Sequence, residues 1–270
     1  MTTALHQVRA RRRRVRWVTL VVLVVVLAVA GALLWRWYDD PAQRAERIRG
    51  DIDRIDVVER TAVRDGVLEI VLSPGADADE IEDVYDAGRR YGVAREEAGD
   101  PAYALVRIRE AGVRVGADTE EVDPELLMAA GAWEAPDGVR VEISRAGAGT
   151  TVAATAEQAP SVTTLSWLVG QLRSLGTYQL ALVRELGATN DYSRTSSRVV
   201  APEDRSVLEG VPLLNRLADV ADLDPAFVLA LPGEGTVTVR TEPGGVPQAR
   251  ARVESALTGY PDVVVEVVDD

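Results

Sequence analysis

The stretch GVLEIVLSP, residues 66–74, sets Leu68, Ile70 and Leu72 on one side of the chain and Val67, Glu69 and Val71 on the other. That period of two is the mark of a half-buried β-strand. The same form returns as GTTVAATAE at 149–157 and GTVTVRTEP at 235–243, so the leading glycines lie 83 and 86 residues apart. Pro74, Ala159 and Pro243 stand near the matching ends.

Working outward, each of these strands is followed by a helix-period segment. Ile81, Val84 and Tyr85 share one helical face; so do Leu165, Leu168, Val169 and Leu172, and so do Val246, Val253 and Leu257. A further strand is expected after each helix, over 103–108, 178–183 and 263–268, and an earlier one before each glycine, over 57–63, 139–143 and 227–231. The pattern predicts an α+β architecture of about three repeated hairpin–helix–strand (ββαβ) modules, over 55–132, 137–223 and 225–270. Connecting helices are expected after Asp123, with Pro124 at the first helical position, and over 206–223, broken near Pro212.

Upstream, Arg9, Arg11, Arg12, Arg13, Arg14 and Arg16 precede Val18–Leu34, a run of 17 residues with no charged side chain. Trp17 stands before it, and Trp35, Trp37 and Tyr38 follow. This predicts a transmembrane helix over residues 17–38 in contact with the lipid bilayer, a basic cytoplasmic tail at 1–16, and the rest of the chain outside. A cleaved signal peptide is the competing reading, with Ala28-Val29-Ala30 as its cleavage site. Its apolar region would ordinarily be roughly 7–15 residues, and cleavage would leave a greasy terminus, so a retained anchor is expected. Residues 39–54 are expected to form a charged juxtamembrane stalk helix, with Glu46 and Arg49, and Arg47 and Asp51, at helical spacing.

Composition excludes much chemistry. All 30 basic residues are arginine, there is no cysteine, and the single histidine is His6. Schiff-base lysines, thiol nucleophiles, Cys-ligated metals and, beyond the tail, a Ser-His-Asp triad or a His-ligated zinc are therefore absent. Residues 38–270 carry a net charge of −20, which disfavours nucleic acid as a partner.

Asp77, Asp79, Glu80, Glu82 and Asp83 form the densest acidic cluster, yet the EF-hand pattern fails because Ile81 takes a ligand position. Carboxylates complementing a helix N-terminus explain it better, and the same holds for Asp118, Glu120, Glu121, Asp123 and Glu125. A pair of carboxylates could run a glycosidase, but aromatic residues beyond position 38 are sparse. The polar loop Asn190–Ser197 has no residue to activate its serines and reads as an exposed connection. Trp167 falls off the apolar stripe of its helix, and must either pack on a neighbouring unit or anchor a partner protein. No catalytic, cofactor-binding or metal-ligating residue is nominated. The expected function is a membrane-anchored, non-catalytic binding or scaffolding component of the bacterial cell envelope. A carboxylate-dependent envelope hydrolase and an extracytoplasmic ligand sensor are the alternatives.

Overall fold

Alternation of the kind seen in GVLEIVLSP runs through the whole chain, and it builds one sheet. The computed structural model describes residues 23, 25–29, 40–100, 102–117, 122–146, 149–242 and 244–269. Its strands are β1 (Val58–Arg64), β2 (Val67–Leu72), β3 (Ala104–Ile108), β4 (Ala111–Val115), β5 (Val139–Ala146), β6 (Gly149–Ala156), β7 (Val183–Asn190), β8 (Thr195–Val200), β9 (Ala226–Ala230), β10 (Glu234–Thr241) and β11 (Val263–Asp269). They form a single eleven-stranded sheet whose spatial order is the sequence order, with β1 and β11 at its two edges. The helices are α1 (Pro41–Ile52), α2 (Ala78–Glu97), α3 (Pro124–Gly131), α4 (Ser161–Leu172), α5 (Thr177–Leu182), α6 (Val211–Ala218) and α7 (Val246–Ala256).

Pairing alternates strictly. The pairs β1–β2, β3–β4, β5–β6, β7–β8 and β9–β10 are antiparallel hairpins, while β2–β3, β4–β5, β6–β7, β8–β9 and β10–β11 are parallel and joined by helical crossovers. The repeating unit is therefore a hairpin plus a helix, and the spacing of 83–86 residues spans two such units. This corrects the expectation of three separate ββαβ modules in an α+β fold: the architecture is mixed α/β, with all strands in one sheet. The hydrogen-bonded pairs Val113↔Ile143 and Val199↔Leu229 run directly across the expected module junctions.

Register places one apolar face throughout. Leu68 pairs with Ala104, Val106 with Val113, Ile143 with Val152, Leu186 with Val199, Phe227 with Val237, and Val239 with Val267. Most of these side chains are wholly buried, each contributing about 1.5–3 kcal/mol when large. Helices α2 and α3 touch each other, as do α4 and α6, and α6 and α7, so they share this face. Successive crossovers step the same way across the sheet from strands of opposite sense. With the helices on one side, alternate crossovers must then have opposite hands. One set is left-handed, against the strong general preference for right-handed connections.

Local chemistry explains the elements. Asp65 and Gly66 both adopt left-handed backbone, φ 49° and 83°, the two-residue turn that matches strand twist in a hairpin. Helix α2 opens on a capping box: the Glu80 amide donates to Asp77 Oδ1 and the Asp77 amide to Glu80 Oε2, both at 2.9 Å. Asp123 caps α3, accepting from the Glu125 amide at 2.9 Å with Pro124 in the first turn. Pro212 sits in the first turn of α6, where its missing N–H costs nothing, and the 206–223 connector is divided into a 3₁₀ turn, α6 and a second 3₁₀ turn.

Two further expectations change. Residues 178–183 are not a strand: Tyr178–Leu182 belong to α5, and the strand begins at Val183. The segment 39–54 is not a free stalk. Asp40 is extended and caps α1, which begins afresh at Pro41, and Ala45 and Ile52 are fully buried where α1 packs on α2. Arg44 reaches Glu97 at 2.7 Å across that contact, and Glu46 pairs with Arg49 at 3.5 Å.

The expected transmembrane helix is also not carried by the structure. Among the described residues no helix is long and apolar enough to cross a membrane, and most of residues 17–38 lie outside them.

Gly235 is the tightest point of the sheet. Its φ is 150°, and a Cβ built there would lie 2.1 Å from the Val228 carbonyl oxygen. Gly235→Ala should lower unfolding stability by at least about 2 kcal/mol, read as a lower urea midpoint with an unchanged m value.

Candidate binding surface

One face of the sheet carries the helices; the other carries none of the described helices. Pleating alone decides what that second face displays, since every residue between two buried ones points to it. From β2 to β8 it presents Glu69, Leu105, Arg107, Arg114, Glu142, Thr151, Ala153, Thr155, Glu185, Gly187, Thr189 and Arg198.

Opposite charges are matched across strands. Arg107 lies 3.3 Å from Glu69 on β2 and 3.5 Å from Glu110, with the Arg107 and Glu69 side chains only 11% and 15% exposed. Arg114 meets Glu142 on β5 at 2.8 Å, and its guanidinium lies 4.2 Å from the centre of the Tyr103 ring. Arg198 on β8 reaches Glu185 on β7 at 3.4 Å. Between these bridges the middle of the face is floored by small residues: Ala153 pairs with Gly187, Thr155 with Thr189, and Thr189 with Ser196. The result is a surface of mixed charge and hydroxyl groups. It offers hydrogen-bonding groups and matched charge.

Among the described residues, two of the depressions lie on the helical side. A groove of about 590 Å³ is lined by Ile55, Asp83, Asp86, Arg89 and Arg90. Its two carboxylates sit three residues apart on α2, with Arg89 pairing Asp86 at 3.2 Å, and so do not oppose each other across a cleft as a glycosidase requires. A smaller cavity of about 130 Å³ lies between α4 and α6, beside Ser166, Arg173 and Asn215. Among the described residues no group of three or more His, Cys, Asp or Glu side chains is disposed to hold a metal ion.

The residues singled out in sequence now have positions. Asp77 and Glu80 cap α2, and Asp123 and Glu125 belong to the cap of α3; Asp118, Glu120 and Glu121 lie outside the described residues. Asn190–Ser197 includes the β7–β8 turn, where Asn190 is buried and accepts from the amides of Tyr192 and Ser193 at 2.9 and 3.1 Å. Ser197 is fully buried and shares a 2.7 Å hydrogen bond with Ser161 Oγ; one hydroxyl donates to the other, which is left to donate to the Pro225 carbonyl, 3.1 Å from Ser197 Oγ and 3.3 Å from Ser161 Oγ. Thr195 donates to Asp224 Oδ2 at 2.9 Å, so this segment is tied to the start of β9.

Trp167 packs against the core and meets Trp133 edge to face, with ring centroids 6.4 Å apart and planes at 89°. It joins α4 to the end of α3 while remaining partly exposed. The open-face ion pairs were not foreseen from the sequence. Arg107, Glu69 and Glu142 were visible as polar positions in alternating runs, but their pairing depends on strand order.

Burial raises the Tyr85 phenol far above its usual range, with the Asp123 charge adding to the effect, and its hydroxyl is enclosed without a hydrogen-bond partner. Asp222 is held below the usual carboxylate range by hydrogen bonds from Arg252 at 2.7 and 2.8 Å. Comparison with protein-family models, with curated proteins and with solved structures finds no match for this chain.

Trp133→Ala should cost about 3–5 kcal/mol of stability, and a double-mutant cycle with Trp167→Ala should return a coupling of about 0.5–1.5 kcal/mol in urea unfolding. A depressed carboxyl stabilises the fold above its unfolded pKa, and that contribution is lost as pH falls through the folded value. Carboxyl NMR titration should therefore show Asp222 titrating below the ordinary range, and rising towards it in Arg252→Gln.

Proposed function

We propose that this chain is a non-catalytic protein-binding or scaffolding element, and that the helix-free face of its sheet is the docking surface. One observation carries the reading: across β2–β8 an uncovered sheet face presents cross-strand Arg–Glu pairs around a floor of Ala, Gly, Thr and Ser. Such a face suits another folded surface, where charge complementarity fixes orientation. The absence of lysine and cysteine from the whole chain, and of histidine beyond His6, supports a role without acid–base or covalent chemistry.

We further propose an extracytoplasmic location in the cell envelope. Seven arginines and no carboxylate precede Asp39, whereas residues 38–270 carry −20. That asymmetry favours retention of the basic end inside, with the acidic body outside.

Photo-crosslinking in cells tests the docking surface. A crosslinker at Thr155 or Thr189 should give a discrete protein adduct, and Met128 and Tyr178, exposed on helices, should not. Equal labelling from both sides would remove the reading. Protease added to intact cells should digest the body; full protection would overturn the location.

A further inference from the structure

Among the described residues, β1 and β11 are the two edge strands of the sheet. Each of β3 and β7 is a strand reached by a crossover and then mated in an antiparallel hairpin, by β4 and β8. Strand β11 is reached in the same way from β10, and among the described residues it is an edge strand paired with β10 alone. At the opposite edge, β1 is paired only with β2. We propose that β11 of one copy pairs with β1 of a second copy, so that the chain assembles head to tail into a continuous sheet.

Strand sense fits. Counting pairings across the sheet, β11 runs parallel to β2 and β1 runs opposite to both. A second copy placed in the same orientation therefore offers β1 antiparallel to β11, the sense in which β4 pairs with β3 and β8 with β7. The faces fit as well. In β1, Arg60, Ala62 and Arg64 lie on the open face, opposite Val71, Glu69 and Val67, and Thr61 and Val63 lie on the helix face. In β11, Val264, Glu266 and Val268 lie on the open face, and Val263, Val265 and Val267 on the helix face. A bulge at Glu59 confines regular pairing in β1 to Arg60–Arg64, five residues that match Val264–Val268. With Ala62 opposite Glu266, every face is conserved. Val63 then meets Val265, Thr61 meets Val267, and Glu266 lies diagonally between Arg60 and Arg64, within reach of long side chains.

Charge makes the choice of occupant. The open face already joins β2 to β3, β4 to β5 and β7 to β8 by Arg–Glu bridges, and Glu266 against Arg60 and Arg64 repeats that device at the junction. Pairing of β11 with a second β11 supplies no cation for Glu266. The edges are also apolar enough to gain from cover: Val264, Val268 and Val63 are 58%, 48% and 44% exposed. Exposed apolar edges with free backbone groups are templates for strand addition. Because the two patches differ, the contact is heterologous and propagates beyond a dimer.

The test uses the full chain in a mild non-ionic detergent, followed by sedimentation velocity over a concentration series. Wild type should grow in mass with concentration. Glu266→Arg alone, and Arg60→Glu with Arg64→Glu in one chain, should each raise the concentration needed for assembly at least tenfold. Circular dichroism melts should be unchanged, since all three positions are exposed. An equimolar mixture of the two variants should assemble again, because each β11 then meets a β1 of opposite charge. Wild type that stays monomeric at all concentrations overturns the proposal. So does an Arg60→Glu, Arg64→Glu chain that assembles like wild type, which would indicate β11–β11 pairing, and so does a mixture that fails to recover.

Discussion

Everything in this molecule depends on keeping the apolar side of eleven strands facing the same way. The hydrogen-bonded ladder transmits that choice from one strand to the next, since a slip of one residue would turn a whole strand over. Val152 faces the helices because Ile143 does, and Leu186 because Val152 does. Helices can bury this side only by lying together on it. Alternating strand sense then forces alternate crossovers into opposite hands. The topological penalty of left-handed connections is offset by a single uninterrupted core, running from Ile52 under α1 to Val263 beside α7.

The same constraint creates the open face. Once the helices are committed to one side, the intervening residues must live with water or with a partner. The chain meets this with polar and small side chains in register: Arg opposite or diagonal to Glu, and Thr, Ala and Gly where strands need low relief. Individual surface ion pairs contribute little to stability. Their regular placement matters more for orientation and for excluding mismatched surfaces. The partly enclosed Arg107–Glu69 pair differs from the rest, because its side chains are largely withdrawn from solvent.

Local grammar was legible wherever a residue type has a specific backbone meaning. The acidic cluster beginning at Asp77 and the pair Asp123-Pro124 mark two helix starts, and helices begin at both places; the Asp65-Gly66 turn was not singled out. Strand β4 was missed because its turn is Arg109-Glu110, with the left-handed φ of 53° on an arginine and no glycine or proline as a sign. Tyr178, Leu180 and Leu182 alternate like a strand, but six residues are too few to separate that pattern from a helical turn. Helix α1 looked like a stalk because its charges hide a narrow stripe, Ala45, Ile48 and Ile52, that docks on the body. The echo of 83–86 residues was real but twice the unit, since only alternate hairpins carry a leading glycine. The docking face was not legible, because it is a property of strand order rather than of any segment.

Sequential strand order has a consequence for how the chain acquires its shape. Among the described residues each strand pairs only with its immediate predecessor and successor, so every strand pairing joins neighbouring elements of the chain. A nascent chain emerging from the ribosome can therefore add one hairpin at a time to a template already laid down. Growth by accretion in this way lets the fold be lengthened or shortened by whole hairpin–helix steps without redesigning what came before.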